Sequence, residues 1–215
     1  MPDPLGSPLP NEPGRRPIAS RSSRVMIALA SKLAAGRVTP NQISTLSILF
    51  AGLGALALVR WNHPITFLVA ALAIQLRLLC NLLDGMVAIE GGKKSLVGAL
   101  YNEFPDRVAD TFLLAAAGYA AGWPDLGWAA ALLAALTAYV RVFGGALGLP
   151  QDFSGIMAKQ RRMALLTAGL LAQFVWRLAV GPGWDVLVWT LALIALGSLL
   201  TCITRTRTIA RMLGA

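Results

Sequence analysis

Apolar residues in this chain come in runs of about twenty, the length a helix needs to cross the hydrocarbon core of a bilayer. A run of that kind must satisfy its own backbone polar groups, and outside closed barrels only a helix does so. The runs at 43–59, 65–89, 96–121, 126–147, 163–181 and 185–203 predict an all-α integral membrane protein with six transmembrane helices. The second to fifth runs contain polar or charged residues that a purely lipid-facing helix would avoid. Ionisable groups at membrane depth are costly and usually face a bundle interior, so these interruptions are where function is to be sought. Pro105 interrupts the third run, removes one backbone hydrogen bond and predicts a kink beside the polar residues.

Residues 1–20 are rich in Pro, Gly and Ser without an apolar period, which predicts a disordered cytoplasmic tail ahead of one membrane domain over 21–215. The tail lacks the apolar stretch of a signal peptide. From Ser22 to Leu33, Val25, Met26, Leu29 and Leu33 share one helical face, while Arg24, Ser31 and Lys32 fall on another. That pattern fits an N-terminal amphipathic helix in the membrane interface, or equally a lead-in to the first span. Most Lys and Arg residues fall on one side of the predicted spans, with Arg60 and Arg177 on the other, so both termini are expected in the cytoplasm. A bacterial inner membrane is the expected location.

The net charge of +9 raises the question of nucleic acid. No basic stripe with interleaved aromatics appears, however, and topology with anionic lipid headgroups accounts for the cations. Cys80 and Cys202 stand alone, which argues against a zinc site or a disulfide framework. Trp61, Trp123, Trp128, Trp176 and Trp184 lie near predicted external boundaries, as interface anchors do, and His63 beside Pro64 reads as a loop residue.

Chemistry concentrates between Arg77 and Asp110. Asn81, Asp84 and Ala88 are spaced i, i+3, i+7 on the second span, so they share a face near its cytoplasmic end. Gly98, Asn102, Asp106 and Asp110 repeat every four residues on the third and form a second polar face. Small residues permit close helix approach, which makes Gly85, Ala88 and Gly98 the expected contact points between the two. Hard oxygen donors without thiolate or imidazole suit Mg²⁺ or Mn²⁺. An incomplete protein cage is typical of Mg²⁺ sites that draw further oxygens from a substrate phosphate, so transfer of a phosphoryl-bearing group is the reaction implied.

The stretch Asp84-Gly85-Met86-Val87-Ala88, followed by Gly98, Asn102 and Asp106, resembles the signature of the CDP-alcohol phosphatidyltransferase family, D-x-x-D-G-x-x-A-R-x8-G-x3-D-x3-D. Thr39-Pro40-Asn41, just before the first span, resembles the family's segment at the same place, and the likeness runs from about Arg24 to the end of the chain. The resemblance implies metal ligands at Asn81, Asp84, Asn102 and Asp106, with Asp106 also the proton acceptor. It implies contact with the CDP moiety from Gly85, Ser95, Pro40 and Asn41, with Ala88 and Gly98 also among the substrate-binding positions. The implied reaction is attack of an alcohol on CDP-diacylglycerol or a similar CDP-alcohol, with release of CMP, in phospholipid biosynthesis, and the resemblance implies a homodimer.

Three positions depart from the pattern. Asn81 and Asn102 stand where the family has Asp, and Ile89 stands where it has Arg. Four Asp would give the site a charge of about −4, enough for two divalent ions, whereas two Asn leave about −2. Asn keeps a carbonyl oxygen, so coordination is weakened and not abolished. Glu103 and Glu90 are nearby sources of replacement charge. A shifted register would make Asp106 and Asp110 the paired carboxylates but would put Asn102 at the close contact; in the favoured register Asp110 is an ion-pair partner for Arg107 or Arg77.

An acceptor pocket is expected at the cytoplasmic ends of the later helices. Arg141, Lys159, Arg161 and Arg162 could bind an anionic headgroup precursor there, although cations at a cytoplasmic boundary also serve topology alone. A second function class stays open, a catalytically lapsed relative that binds a nucleotide-lipid or serves as a partner subunit. An intramembrane prenyltransferase would need more helices, and a transporter would show broken helices in both halves.

Overall fold

The computed structural model describes residues 23–93, 97–181 and 185–214, and within them the chain forms seven helices. These are α1 (Arg24–Ala35), α2 (Pro40–Arg60), α3 (Ile65–Glu90), α4 (Gly98–Ala120), α5 (Pro124–Ala146), α6 (Lys159–Ala179) and α7 (Val186–Met212). The stretch read as a disordered tail, Ser95 and Trp184 lie outside the described residues, and so does the side chain of Glu90.

Local chemistry explains where the helices begin. At α2, Thr39 Oγ1 accepts from the Gln42 N–H at 3.3 Å, and Gln42 Oε1 accepts from the Thr39 N–H at 2.9 Å. Pro40 occupies the first turn, where its missing N–H costs nothing. Thr39-Pro40-Asn41 is therefore a helix start in its own right. Proline also opens α5 at Pro124, while α4 continues through Pro105 without a break.

Packing runs from α2 to α3, α3 to α6, α6 to α7, α7 to α5, α5 to α4 and α4 back to α2, so six helices close a ring. Ile74, Leu113, Leu114, Leu166, Leu170, Leu187, Leu191 and Ile194 belong to its buried core. Where two helices must come close, small residues allow it: a Cβ on Gly118 of α4 would lie 2.6 Å from the Gly127 Cα of α5. A Cβ on Gly54 of α2 would likewise meet Ala73 Cβ of α3 at 2.7 Å. Outside the ring, α1 rests on α3, with Ala30, Met26, Leu29 and Leu33 against Leu82, Leu83, Met86 and Val87. Val25 does not share that contact and is 69% exposed.

Four helices, α2, α3, α5 and α7, are long and apolar enough to cross a membrane by length and composition. With 23 and 21 residues, α4 and α6 match them in length but carry the charged residues. Direct packing between α3 and α4 is slight, because α2 packs against both. This corrects the expectation that Gly85, Ala88 and Gly98 bring those two helices together: their facing residues are long and charged, and they meet through ion pairs. The chain alternates direction around the ring, so the C-terminal ends of α3, α5 and α7 and the N-terminal ends of α2, α4 and α6 share one end of the bundle.

Candidate active site

The charged residues converge inside the ring at that shared end. Asp106 of α4 is the hub. Its Oδ1 accepts from Asn81 Nδ2 at 2.6 Å and from Arg77 Nη2 at 3.2 Å, both on α3, and its Oδ2 accepts from Lys159 Nζ at the start of α6. Arg107 Nη2 stands 3.6 Å from the same Oδ2, beyond hydrogen-bond range. The Asn81 amide has its nitrogen toward Asp106, since two oxygens at this distance would repel, and that turns its carbonyl oxygen away. A carboxylate has about four lone-pair sites, so three donors leave one on Oδ2.

One turn deeper, each oxygen of Asp110 faces a guanidinium group. Asp110 pairs with Arg77 at 2.5 Å and Arg162 at 2.6 Å, and all three side chains are almost completely buried. Arg77 also reaches Met163 Sδ, and Arg162 reaches the Met157 carbonyl at 3.2 Å. Arg77 is thus the expected partner of Asp110, and Arg162 is a second one that sequence reasoning missed. With its two terminal nitrogens engaged and no exposure, Arg162 serves the helix pair, which corrects the expectation that it binds an acceptor. The two buried guanidinium groups on Asp110 also argue against the shifted register, because a divalent cation there would meet protein cations on both carboxylate oxygens.

Asp84 has a different environment. Its Oδ2 accepts from the Ser44 hydroxyl of α2 at 2.5 Å, while Oδ1 is buried with no hydrogen-bond partner among the described residues. Ser44 was not singled out in the sequence, although it lies one helical turn beyond Pro40 and its hydroxyl also reaches the Pro40 carbonyl at 3.2 Å. Asn102, one turn before Asp106, is exposed, whereas Gly85, Ala88, Gly98, Pro40 and Asn41 are half-buried near the same end.

Glu103 is engaged by cations at the edge of this cluster. Its Oε1 pairs with Arg141 Nη2 of α5 at 2.6 Å, and Arg141 also donates to Gln151 and stacks 4.9 Å from the centre of the Phe153 ring. Arg205 of α7 ties the same loop down by donating to the Ser154 carbonyl at 2.9 and 2.7 Å. Lys93, just past α3, donates to the Gly36 and Val38 carbonyls at 2.7 and 3.2 Å, which holds the α1–α2 link beside the site.

The donors fit a single divalent cation. A buried carboxylate oxygen without a hydrogen-bond partner is unfavourable alone and is satisfied by a cation, and Asp84 Oδ1 is such an oxygen. The amide oxygens of Asn81 and Asn102 are hard donors of the kind Mg²⁺ and Mn²⁺ prefer. No group of three or more His, Cys, Asp or Glu side chains gathers around one point among the described residues, so water or a substrate would complete the shell.

No family model matches the sequence. It is 30% identical over 199 residues to the phosphatidylinositol phosphate synthase of Streptomyces avermitilis, a match spanning 88% of this chain and 79% of that one. The chain belongs to the CDP-alcohol phosphatidyltransferase family. The inner membrane protein YnbA of Escherichia coli is 28% identical over 184 residues, covering 81% of this chain and 86% of that protein. Among solved structures, Mycobacterium tuberculosis phosphatidylinositol phosphate synthase with CDP-DAG bound aligns with a TM-score of 0.72 and 22% identity, over 87% of this chain and 94% of that one. The same enzyme in complex with manganese and citrate aligns at 0.71 and 21%, over 86% and 88%. This phosphatidyltransferase relative is therefore an integral membrane protein with the fold of those enzymes and an altered set of acidic residues.

Proposed function

We propose that this chain transfers a phosphatidyl group from CDP-diacylglycerol or a similar CDP-alcohol to a small alcohol acceptor, with release of CMP. The observation that carries the reading is Asp106: its carboxylate is held by Asn81, Arg77 and Lys159 in one orientation, with one lone pair left to receive a proton. The acceptor hydroxyl attacks the phosphorus that bears the lipid, a new O–P bond forms, the bond to CMP breaks, and the hydroxyl proton passes to Asp106 Oδ2. Asp84, with the amide oxygens of Asn81 and Asn102, would hold Mg²⁺ or Mn²⁺. A divalent ion there supplies neutralisation of charge on the departing nucleotide phosphate.

Acceptor binding falls to the remaining donors at the same end. Lys159 has three N–H groups and Arg141 five, and neither is exhausted by its carboxylate partner. Both stand where a phosphorylated alcohol would meet Asp106, so an anionic acceptor is favoured over a neutral one. Gly85, Ala88, Gly98, Ser95, Pro40 and Asn41 keep the substrate-binding role implied by the resemblance. The relatives support this reading, since one is a phosphatidylinositol phosphate synthase and the solved enzyme was captured with CDP-DAG and with manganese.

The same reading has α4 and α6 as spans alongside the four apolar helices, which gives six. Their place within the closed ring supports it, and the gathering of cations at one end favours both termini in the cytoplasm. Association as a homodimer in a bacterial inner membrane completes it. The rival reading, a lapsed relative, draws support from the ion pairs themselves, which stabilise the cluster without any substrate.

Purified protein in detergent, given CDP-diacylglycerol, Mn²⁺ or Mg²⁺ and a panel of free and phosphorylated alcohols, is expected to release CMP with at least one acceptor. Absence of metal-dependent CMP release across the whole panel would establish the lapsed relative instead.

A further inference from the structure

Around Asp106 the charges already balance. Asp106 and Asp110 pair with Arg77, Lys159 and Arg162, and with Asp84 counted the three carboxylates match the three cations. The next contacts add Glu103 against Arg107 and Arg141, which leaves the described cluster with one cation in excess. A divalent ion placed against Asp106 would therefore meet protein cations at close range, in an interior where like charges are poorly screened.

Two further observations sharpen this. Asn81 presents its N–H to Asp106 at 2.6 Å, a bond that an Asp at position 81 could not donate unless protonated. The substitution is thus matched to the pairing of Asp106 with protein groups. By contrast, Asp84 Oδ1 is buried without a hydrogen-bond partner, and no ion pair reaches Asp84 among the described residues. One end of the polar cluster is closed by protein cations, and the other has a donor in want of one.

We infer that the site takes a single divalent ion, at Asp84, and that the Lys159 ammonium occupies against Asp106 the place where a fully acidic site would hold a second. Lys159 is then a built-in cation at the heart of the site, and Asn81 and Asn102 are the substitutions that make room for it electrostatically. The inference deepens the phosphatidyltransferase reading and rests on it for the identity of the ion.

The test is the Mn²⁺ count per chain, read by electron paramagnetic resonance titration of purified, nucleotide-free protein in detergent. One ion is expected for the unmodified chain and none for Asp84→Asn. Asn102→Asp alone is expected to stay at one ion, because Lys159 still holds Asp106. Combining Asn102→Asp with Lys159→Gln is expected to raise the count to two, and the combination with Lys159→Arg to leave it at one. Two ions in the unmodified chain, none at all, or a second ion admitted by Asn102→Asp with Lys159 in place would each overturn the inference. The unmodified chain decides the matter even where a variant fails to fold. CMP release from the same preparation separates the readings: two ions with CMP release overturns only the ion count, and one ion without CMP release overturns only the enzyme.

Discussion

Ser44 donates its hydroxyl to Asp84 Oδ2 at 2.5 Å and so joins α2 to α3 beneath Asp84 Oδ1, a buried carboxylate oxygen with no hydrogen-bond partner and no ion pair among the described residues. The bond fixes the direction of the free oxygen, and groups that orient a metal ligand typically change affinity by about 10- to 100-fold when removed. Ser44→Ala is expected to weaken Mn²⁺ binding by about tenfold or more while the helical signal is kept. Titration of the variant beside the unmodified chain checks it, and unchanged affinity would show that Ser44 only packs.

The pairing of Asp110 with Arg77 and Arg162 predicts a stability effect larger than any at the surface. Asp110→Asn keeps the shape but leaves two fully buried guanidinium groups facing a neutral amide, and breaking buried pairs of this kind costs about 3–5 kcal/mol. A marked fall in the thermal midpoint of the detergent-purified protein is expected. Arg162→Met should cost less, since Asp110 keeps Arg77 and the methionine fills apolar space among Met157 and Met163.

Much of this arrangement is legible in the sequence, because periodicity and spacing are local properties. Four-residue spacing put Asp106 and Asp110 on one face of α4, and the i, i+3 spacing put Asn81 and Asp84 on one face of α3. What spacing cannot give is the rotation of one helix against another. Lys159 and Arg162 lie more than fifty residues from Asp106 and Asp110, and only the α3–α6 packing decides that they turn inward to carboxylates and not outward to lipid headgroups. Ser44 was missed for a related reason: a lone serine in an apolar run usually bonds its own backbone, and nothing in the run marks the turn that meets Asp84. The expected close approach of α3 and α4 failed because small residues allow contact without requiring it; Gly118 and Gly127 provide the contact elsewhere.

Under the proposed mechanism, Asp106 is the residue on which chemistry depends most sharply. Asp106→Asn preserves size and can still hydrogen-bond, but it cannot accept a proton at Oδ2, and loss of a general base typically lowers the rate by about 10²–10⁴. CMP release is expected to fall by at least about 100-fold with Mn²⁺ binding at Asp84 retained. Measuring both on one preparation distinguishes a lost base from a lost ion site, and activity undiminished by the change would remove Asp106 from the mechanism.

The glycine contact between α4 and α5 predicts the opposite pattern, lost stability with the chemistry intact. A Cβ at Gly127 would lie 2.8 Å from both Gly118 Cα and the Leu114 carbonyl oxygen, and these are backbone atoms that cannot swing aside. The helices would have to separate, and overpacking of this kind costs about 1–3 kcal/mol. The contact lies near the N-terminal end of α5, whereas Arg141 marks the opposite end of that helix, where the site is. Gly127→Ala is therefore expected to lower the thermal midpoint clearly while CMP release per folded molecule stays unchanged. Thermal denaturation and a CMP assay normalised to folded protein measure the two effects, and a variant as stable as the unmodified chain would show that α4 and α5 do not depend on this approach.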